Sequence, residues 1–562
     1  MICFGVRKVW AALFGLMFCS IPAVQAEPTE RYMVAEDQVL EIVLDDRGAE
    51  RLFVSELPPG ATFDPGSLEL RFEPDFTQGG ESWFPKVTRF DGGRRFVEEL
   101  EIAIVDSIQP PAPRIASVER HQGYRLYVVE QVTDDYLDSP GYAGRSIFAN
   151  VTVPDGEGSF PVAVRLHGIG TKEPPRLSAP GEIHISAHDP MNSYWWGYSD
   201  SLPGPVPTSG HVPDYTVRRV LHLLAWTQRT FEGADRNRTY ISGSSMGGAG
   251  AATIGLLHAQ YFAWVQAFIG QKIPRNHRPA RLDQLSGYWG APSADLTRDA
   301  DLPVWDEMDL TRVLLLDPSS RDQFLSLKHS KDDRIVHFGA VVHESPKTGV
   351  NFYEALQLSK VGHYAIWDEG GHGTFDPVLG HRWWHSAWNP ITDEVSYLRR
   401  DLAFPAFSAS SADADPGRGA GNGTVEWHEK RGFSGDPKVA GDTGWEGALW
   451  GALNRFLRWD AEGIIDTETL FEVPLHVLDG DGTEPPREGY PTKGDKLDKP
   501  LPITVDVTIR RAQRFVLLPG EKVRWRFGPL RGEVLADEDG VVTIPALPLE
   551  PAWKVLVLER RL

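Results

Sequence analysis

The chain has 562 residues, with 57 Lys and Arg against 78 Asp and Glu (formal charge −21), 41% hydrophobic residues and two cysteines. That length exceeds what one hydrophobic core organises, so several domains are expected, and the hydrophobic share excludes wholesale disorder. The acidic balance gives no electrostatic reason to bind nucleic acid or an anionic membrane, and two cysteines cannot build a disulfide scaffold.

Arg7 and Lys8 precede an apolar run from Val9 to Ile21, followed by Val24-Gln25-Ala26. A basic start, a short apolar stretch and a small-x-small end describe a secretory signal peptide over residues 1–26. The run is too short to cross a bilayer of about 30 Å as a helix. Cleavage after Ala26 would remove Cys3 and Cys19 and leave a secreted or periplasmic protein without cysteine or membrane attachment.

Residues 28–108 alternate with period two: Leu40, Ile42, Leu44; Leu68, Leu70, Phe72; Leu100, Ile102, Ile104. Alternation puts these side chains on one face of a sheet. Turn clusters such as Pro58-Pro59-Gly60 and Asp91-Gly92-Gly93 separate the runs, which predicts a small β-sandwich. Leu57-Pro58-Pro59-Gly60-Ala61-Thr62-Phe63-Asp64 and Glu73-Pro74-Asp75-Phe76-Thr77-Gln78 resemble the Ig-like and cadherin-like modules of bacterial exported proteins. Gln109-Pro110-Pro111-Ala112-Pro113 reads as a stiff linker.

Over 114–400, strand-like and helix-like segments alternate, which predicts an α/β domain with a mostly parallel sheet and helices on both faces. Val162 to Leu166 reads as a buried strand, and Val217, Val220, Leu221 and Leu224 mark an amphipathic helix over Tyr215 to Phe231. Thr239-Tyr240-Ile241 reads as a short strand. Residues 401–562 are again β-like, with Ile503, Val505, Val507, Ile509 and Val523, Trp525, Phe527 alternating, after a Ser/Asp/Gly-rich stretch at 408–440.

Four segments in the middle region carry chemistry. Gly243-Ser244-Ser245-Met246-Gly247 matches the G-x-S-x-G nucleophile elbow, in which glycines permit a strained strand-to-helix turn. Upstream, a buried strand ends in His167-Gly168-Ile169-Gly170, where a backbone N–H of Ile169 (or Gly168) can join that of Met246 in an oxyanion hole. His329-Ser330-Lys331-Asp332-Asp333-Arg334-Ile335-Val336 follows an apolar strand and supplies an acid, Asp333, with Asp332 as the internal alternative. Glu369-Gly370-Gly371-His372-Gly373 follows the apolar strand Tyr364 to Trp367 and supplies a base. His363, before that strand, reads as a surface or packing residue. The order Ser245, Asp333, His372 is that of α/β hydrolases.

Residues 120–385 resemble the secreted esterase group of the α/β-hydrolase superfamily, with its feruloyl esterases, acetylxylan esterases and polyhydroxybutyrate depolymerases. The words carrying this are Leu166-His167-Gly168, the run Asp235 to Ile241 into Gly243-Ser244-Ser245-Met246-Gly247-Gly248, and Gly371-His372-Gly373. The resemblance implies serine-dependent hydrolysis of carboxylic esters with no metal or cofactor. Ser330 stands where the acid motif usually has glycine, and a long Trp-bearing stretch, 270–320, separates elbow from acid.

Two aromatic clusters, Tyr194-Trp195-Trp196-Gly197-Tyr198 and Trp383, Trp384, Trp388, suit either a core or stacking on sugar and phenolic rings. Trp195 and Trp196 are the candidate substrate-binding residues, and the expected partner is an ester linked to polysaccharide. Asp413-x-Asp415-x-Gly417 and Asp479-x-Asp481-x-Thr483 read as acidic turns rather than Ca²⁺ loops, because neither brings the bidentate Glu of an EF-hand. Two other readings stay open on the sequence: a serine peptidase of prolyl-oligopeptidase type, and a non-catalytic carbohydrate-binding or adhesion protein on a hydrolase fold.

Overall fold

The computed structural model describes residues 30–91, 94–178, 181–298, 302–331, 333–368, 370–373, 398–417, 447–448, 451–478 and 499–560. The signal-peptide segment, both cysteines, Asp332, Trp383, Trp384, Trp388 and the Asp479–Thr483 turn lie outside these residues.

Two sheets form the N-terminal unit. One orders the strands Glu30–Ala35, Arg94–Val105, Lys86–Asp91 and Arg51–Ser55, and the other Leu40–Val43, Glu69–Phe72 and Thr62–Asp64. Ile42, Leu44, Leu70, Phe72, Leu100, Ile102 and Ile104, singled out by alternation, meet Val34, Val54 and Val87 in one core. Leu40 and Leu68 pack at its margin.

A 10-stranded sheet organises the middle of the chain. Its parallel centre runs Ile183–Ser186, Phe160–Leu166, Ala234–Ser244, Trp264–Phe268, Phe324–Ser330, Gly362–Asp368. The strands Ser146–Pro154, Tyr124–Val132 and Arg114–His121 extend one side antiparallel. This is a mostly parallel sheet of the α/β class. The helix Tyr215–Thr230 buries Val217, Val220, Leu221 and Leu224 as its spacing predicts. Val162, Val164, Ile183, Ile185, Ile241, Val265 and Leu325 are apolar and buried, as a sheet covered on both faces requires.

The sheet does not stop at residue 400. Gly451–Leu453 pairs antiparallel with Gly362–Asp368 and covers its open edge. The short strand expected at Thr239–Ile241 is also longer, Ala234–Ser244. The remaining C-terminal strands build two further sheets, one joining Phe404–Ser408, Ile503–Arg510 and Thr543–Leu549, the other centred on Leu470–Val477 and Lys554–Glu559. Among the described residues, no helix is long and apolar enough to cross a membrane.

Polar contacts join these units. Tyr261 donates to the Asp75 carboxylate, Arg229 reaches Thr77 O at 3.0 Å, and Arg51 donates to Val516 O at 2.8 Å. His363 is buried, and its Nε2 lies 3.1 Å from Asn454 Nδ2 and 3.2 Å from Gln357 Nε2, a packing role rather than a surface one.

Burial holds His184, His222, His329 and His363 neutral by pushing each down to about 4. An unfolded histidine titrates near 6.5, so below that pH the unfolded chain binds more protons than the folded one. The stability from these groups is complete above pH 6.5 and is lost as pH falls from 6.5 through 4. Carboxyls that burial pushes up, such as Asp413, raised to about 7, act in the opposite sense and offset part of it. Urea unfolding at pH 7, 5.5 and 4.5 is expected to give falling midpoints. A midpoint that rises towards pH 4.5 would contradict the burial of these rings.

Candidate active site

The strands Phe160–Leu166, Ala234–Ser244, Phe324–Ser330 and Gly362–Asp368 are parallel, so their carboxyl ends share one edge of the sheet. That edge is where open α/β sheets place their sites. The four segments singled out in the sequence each follow one of these strands.

Ser245 joins the strand Ala234–Ser244 to the helix Met246–Leu257 with φ 60° and ψ −124°. A non-glycine residue held there costs on the order of 1–3 kcal/mol, which the surroundings must enforce. Its N–H donates to Phe268 O at 3.0 Å. The flanking glycines permit the turn by letting backbones touch. A Cβ on Gly243 would lie 2.2 Å from Gly247 O, one on Gly247 2.1 Å from Leu166 O, and one on Gly248 2.0 Å from Phe268 O.

His372 Nε2 lies 2.9 Å from Ser245 Oγ, and His372 Nδ1 lies 2.7 Å from Asp333 Oδ2. Asp333 is fully buried, and its Oδ1 accepts from the N–H groups of Ile335 (2.8 Å) and Val336 (2.9 Å). A carboxylate facing Nδ1 puts the ring proton there and leaves Nε2 to accept from the serine hydroxyl. The structure therefore brings together Ser245, Asp333 and His372.

Both loops are held from behind. Buried His329 pairs through Nε2 with Val336 O at 2.9 Å. Asp368 O accepts from Lys331 N at 2.8 Å, and Asp368 Oδ1 accepts from Gly370 N at 2.9 Å, shaping the turn that carries His372. Lys328 Nζ stands 3.6 Å from Asp368 Oδ2 with both side chains buried. Burial pushes Lys328 down to about 7 against the pull of Asp368. Sequence reasoning missed Asp368 and Lys328; an acid just ahead of a glycine-rich histidine turn was the available signal. Asp368→Ala is expected to lower kcat by about 10–100-fold with a smaller change in KM, because it loosens His372 without touching Oγ. Steady-state kinetics with an unchanged kcat would remove Asp368 from this role.

The His167–Gly170 loop lies against the elbow, since a Cβ on Gly168 would sit 3.8 Å from Ser245 Cβ. His167 Nε2 accepts from Asp189 N at 3.0 Å, so its proton is on Nδ1, which donates to Gly168 O at 2.8 Å. Asn192 Oδ1 accepts from Gly170 N at 2.8 Å. Asp189 and Asn192 sit in a loop without a recognisable motif and were not foreseen. The Ile169 side chain is exposed beside this loop, and Met246 N, at the first helical position, has no intrahelical acceptor.

Trp195 and Trp196 are placed otherwise than expected. Both are 0% exposed and offer no face to a substrate. Trp195 Nε1 donates to His167 O at 3.1 Å, and the indole packs against Gly250 of the helix Met246–Leu257, so the ring braces the loop from inside. Asp413, Asp415 and Gly417 form a turn, with Asp415 Oδ1 accepting from Gly417 N at 2.8 Å and Asp413 Oδ1 from Asn454 N at 2.6 Å. Among the described residues no group of three or more His, Cys, Asp or Glu is placed to hold a metal ion.

No family model matches this sequence, and no curated protein does. Solved structures resemble it over part of its length. An S-formylglutathione hydrolase from Agrobacterium tumefaciens is 19% identical over 46% of this chain and 92% of its own, with a TM-score of 0.33. A ferulic acid esterase is 18% identical over 49% of this chain and 99% of its own, with a TM-score of 0.32. An acylaminoacyl peptidase is 15% identical over 52% of this chain and 50% of its own, with a TM-score of 0.27. At such identities and scores the chemistry has to be read from the site itself.

Proposed function

We propose that this chain is a serine hydrolase that cleaves carboxylic esters through an acyl-enzyme intermediate, without a metal or cofactor. The observation that carries this reading is the hydrogen-bonded run Asp333–His372–Ser245 on a strained elbow. His372 takes the hydroxyl proton as Oγ attacks the ester carbonyl, and returns it to the leaving alcohol. Water then repeats the sequence and releases the acid. Asp333 keeps the imidazole in the productive tautomer and stabilises its charged form. The N–H groups of Met246 and of Ile169, or of its neighbour Gly168, receive the developing oxyanion.

The substrate class we propose is an acyl or feruloyl-type ester of polysaccharide, met outside the cytoplasm after cleavage behind Ala26, with the β unit at 28–108 as a separate domain and the C-terminal strands, of which Gly451–Leu453 joins the central sheet, as a β-rich extension of the hydrolase domain. The test is labelling with a fluorophosphonate followed by a panel of 4-nitrophenyl esters and peptide anilides. Stoichiometric modification of Ser245 with turnover of esters supports the reading. Preference for anilides would make the protein a peptidase, and absence of labelling would leave a non-catalytic hydrolase fold. The amino terminus of the exported protein is expected to be Glu27.

A further inference from the structure

The stretch 270–320 contains the helix Pro279–Trp289, whose start meets the loop that carries Asp333. On one side, Arg278 Nε contacts Ile335 O at 3.4 Å, in the loop whose Ile335 N–H binds the Asp333 carboxylate. On the other side, the Arg281 guanidinium lies 5.1 Å from the centre of the Tyr194 ring. Tyr194 directly precedes Trp195, which holds the carbonyl of His167 in the loop beside Ser245. Residues 278–281 thus touch the acid loop at one end and, at the other, the aromatic segment that supports the His167 loop.

Arg281 is 5% exposed, and no carboxylate lies against it among the described residues. The titratable groups facing it are Tyr194, Tyr288 and a like charge, Arg278. Its Nη1 donates to Gln284 Oε1, and its buried Nε–H has no acceptor among the described residues. Beside it, His277 accepts the Arg278 N–H on Nδ1 at 2.8 Å, which leaves the ring proton on Nε2. That Nε2 is also buried without a partner among the described residues. A guanidinium is permanently charged, and an unpaired charge is costly to bury. A hydrogen-bonding anion is the partner that such donors lack.

We propose that Arg281, with His277 Nε2–H, forms a carboxylate-binding subsite beside Ser245, so that the preferred ester itself carries a carboxylate, as in a uronate or a dicarboxylate half-ester. This rests on the hydrolase reading above. A local cationic pocket is needed for such a substrate, because the chain as a whole, at −21, repels it.

Two matched pairs test the proposal. Mono-4-nitrophenyl succinate against 4-nitrophenyl acetate places the carboxylate on the acyl side, and 4-acetoxybenzoate against phenyl acetate places it on the leaving group. The wild type is expected to favour the charged member of one pair at least tenfold in kcat/KM, which also identifies the side. Arg281→Gln is expected to abolish that preference through KM, Arg281→Lys to keep part of it, and high salt to weaken it. No preference in the wild type for either charged ester, or the same preference in Arg281→Gln, overturns the subsite. If Arg281→Gln does not fold, competitive inhibition of the wild type by succinate or galacturonate decides instead: inhibition that weakens with salt supports the subsite, and none overturns it. Failure of the hydrolase reading is seen separately, as absence of fluorophosphonate labelling at Ser245. In that case a rise in Tm with succinate or galacturonate in the wild type, lost in Arg281→Gln, still supports the subsite, and no rise overturns it.

Discussion

Ser245→Ala is expected to lower kcat on any ester the protein turns over by about 10⁶-fold, leaving only catalysis from substrate binding and backbone donors. The substitution removes one oxygen and nothing that holds the fold. Ser245 N still donates to Phe268 O, and an alanine side chain is no larger than the serine it replaces at the same strained φ. His372 keeps its contact with Asp333 and merely loses the hydroxyl 2.9 Å from Nε2. The loss should therefore lie in the chemical step, with KM and Tm nearly unchanged, and with fluorophosphonate labelling abolished. Esterase activity close to that of the wild type would end the assignment, whatever the labelling result.

The second large effect belongs to Asp333. Asp333→Asn is expected to cost about 10⁴-fold in kcat, the loss seen when an imidazole is held in the wrong tautomer. The structure says why the amide cannot rescue itself by flipping. Oδ1 already accepts from the N–H groups of Ile335 and Val336, so the asparagine oxygen must occupy that position. Its NH₂ group then faces His372 Nδ1, which becomes an acceptor, and the ring proton moves to Nε2. There it points at Ser245 Oγ and can no longer receive the hydroxyl proton. Asp332→Asn is the comparison, since Asp332 is the neighbouring acid that the sequence leaves as the internal alternative. A loss at Asp332 equal to that at Asp333 would remove Asp333 from the site.

Most of the candidate site was legible because its parts are local. The elbow needs glycine on both sides of Ser245, and the acid and the histidine each sit just past an apolar strand. Those are constraints within a few residues, and they leave a pattern in the chain. The aromatic pair showed the limit of the same reasoning. Trp195 and Trp196 have the composition of a stacking platform and of a core alike, and nothing in Tyr194-Trp195-Trp196 indicates which side of the chain faces water. Packing against Gly250 and the bond to His167 O made them interior supports.

The same holds for the residues missed. Asp368 acts through Gly370, Asp189 through His167, and Arg281 stands out only because no acid among the described residues is near it; each is defined by what lies opposite, not by its own neighbours in sequence. The boundary near residue 400 was blurred for a related reason. Gly451–Leu453 joins the central sheet because an open strand edge takes the nearest chain that can pair with it.

By itself, the sequence determined the α/β class of the middle region, the alternating strands on either side of it, and the chain order of the candidate residues Ser245, Asp333 and His372. These follow from periodicity, from glycine placement and from side-chain chemistry, all of which are local properties. Only the tertiary structure decided that Ser245, His372 and Asp333 stand within hydrogen-bonding distance, which acid of the pair faces the imidazole, and which aromatic rings are buried. Parallel strands carry distant segments to one edge of a sheet, and contacts made there depend on strand order and packing, which no short stretch of sequence encodes.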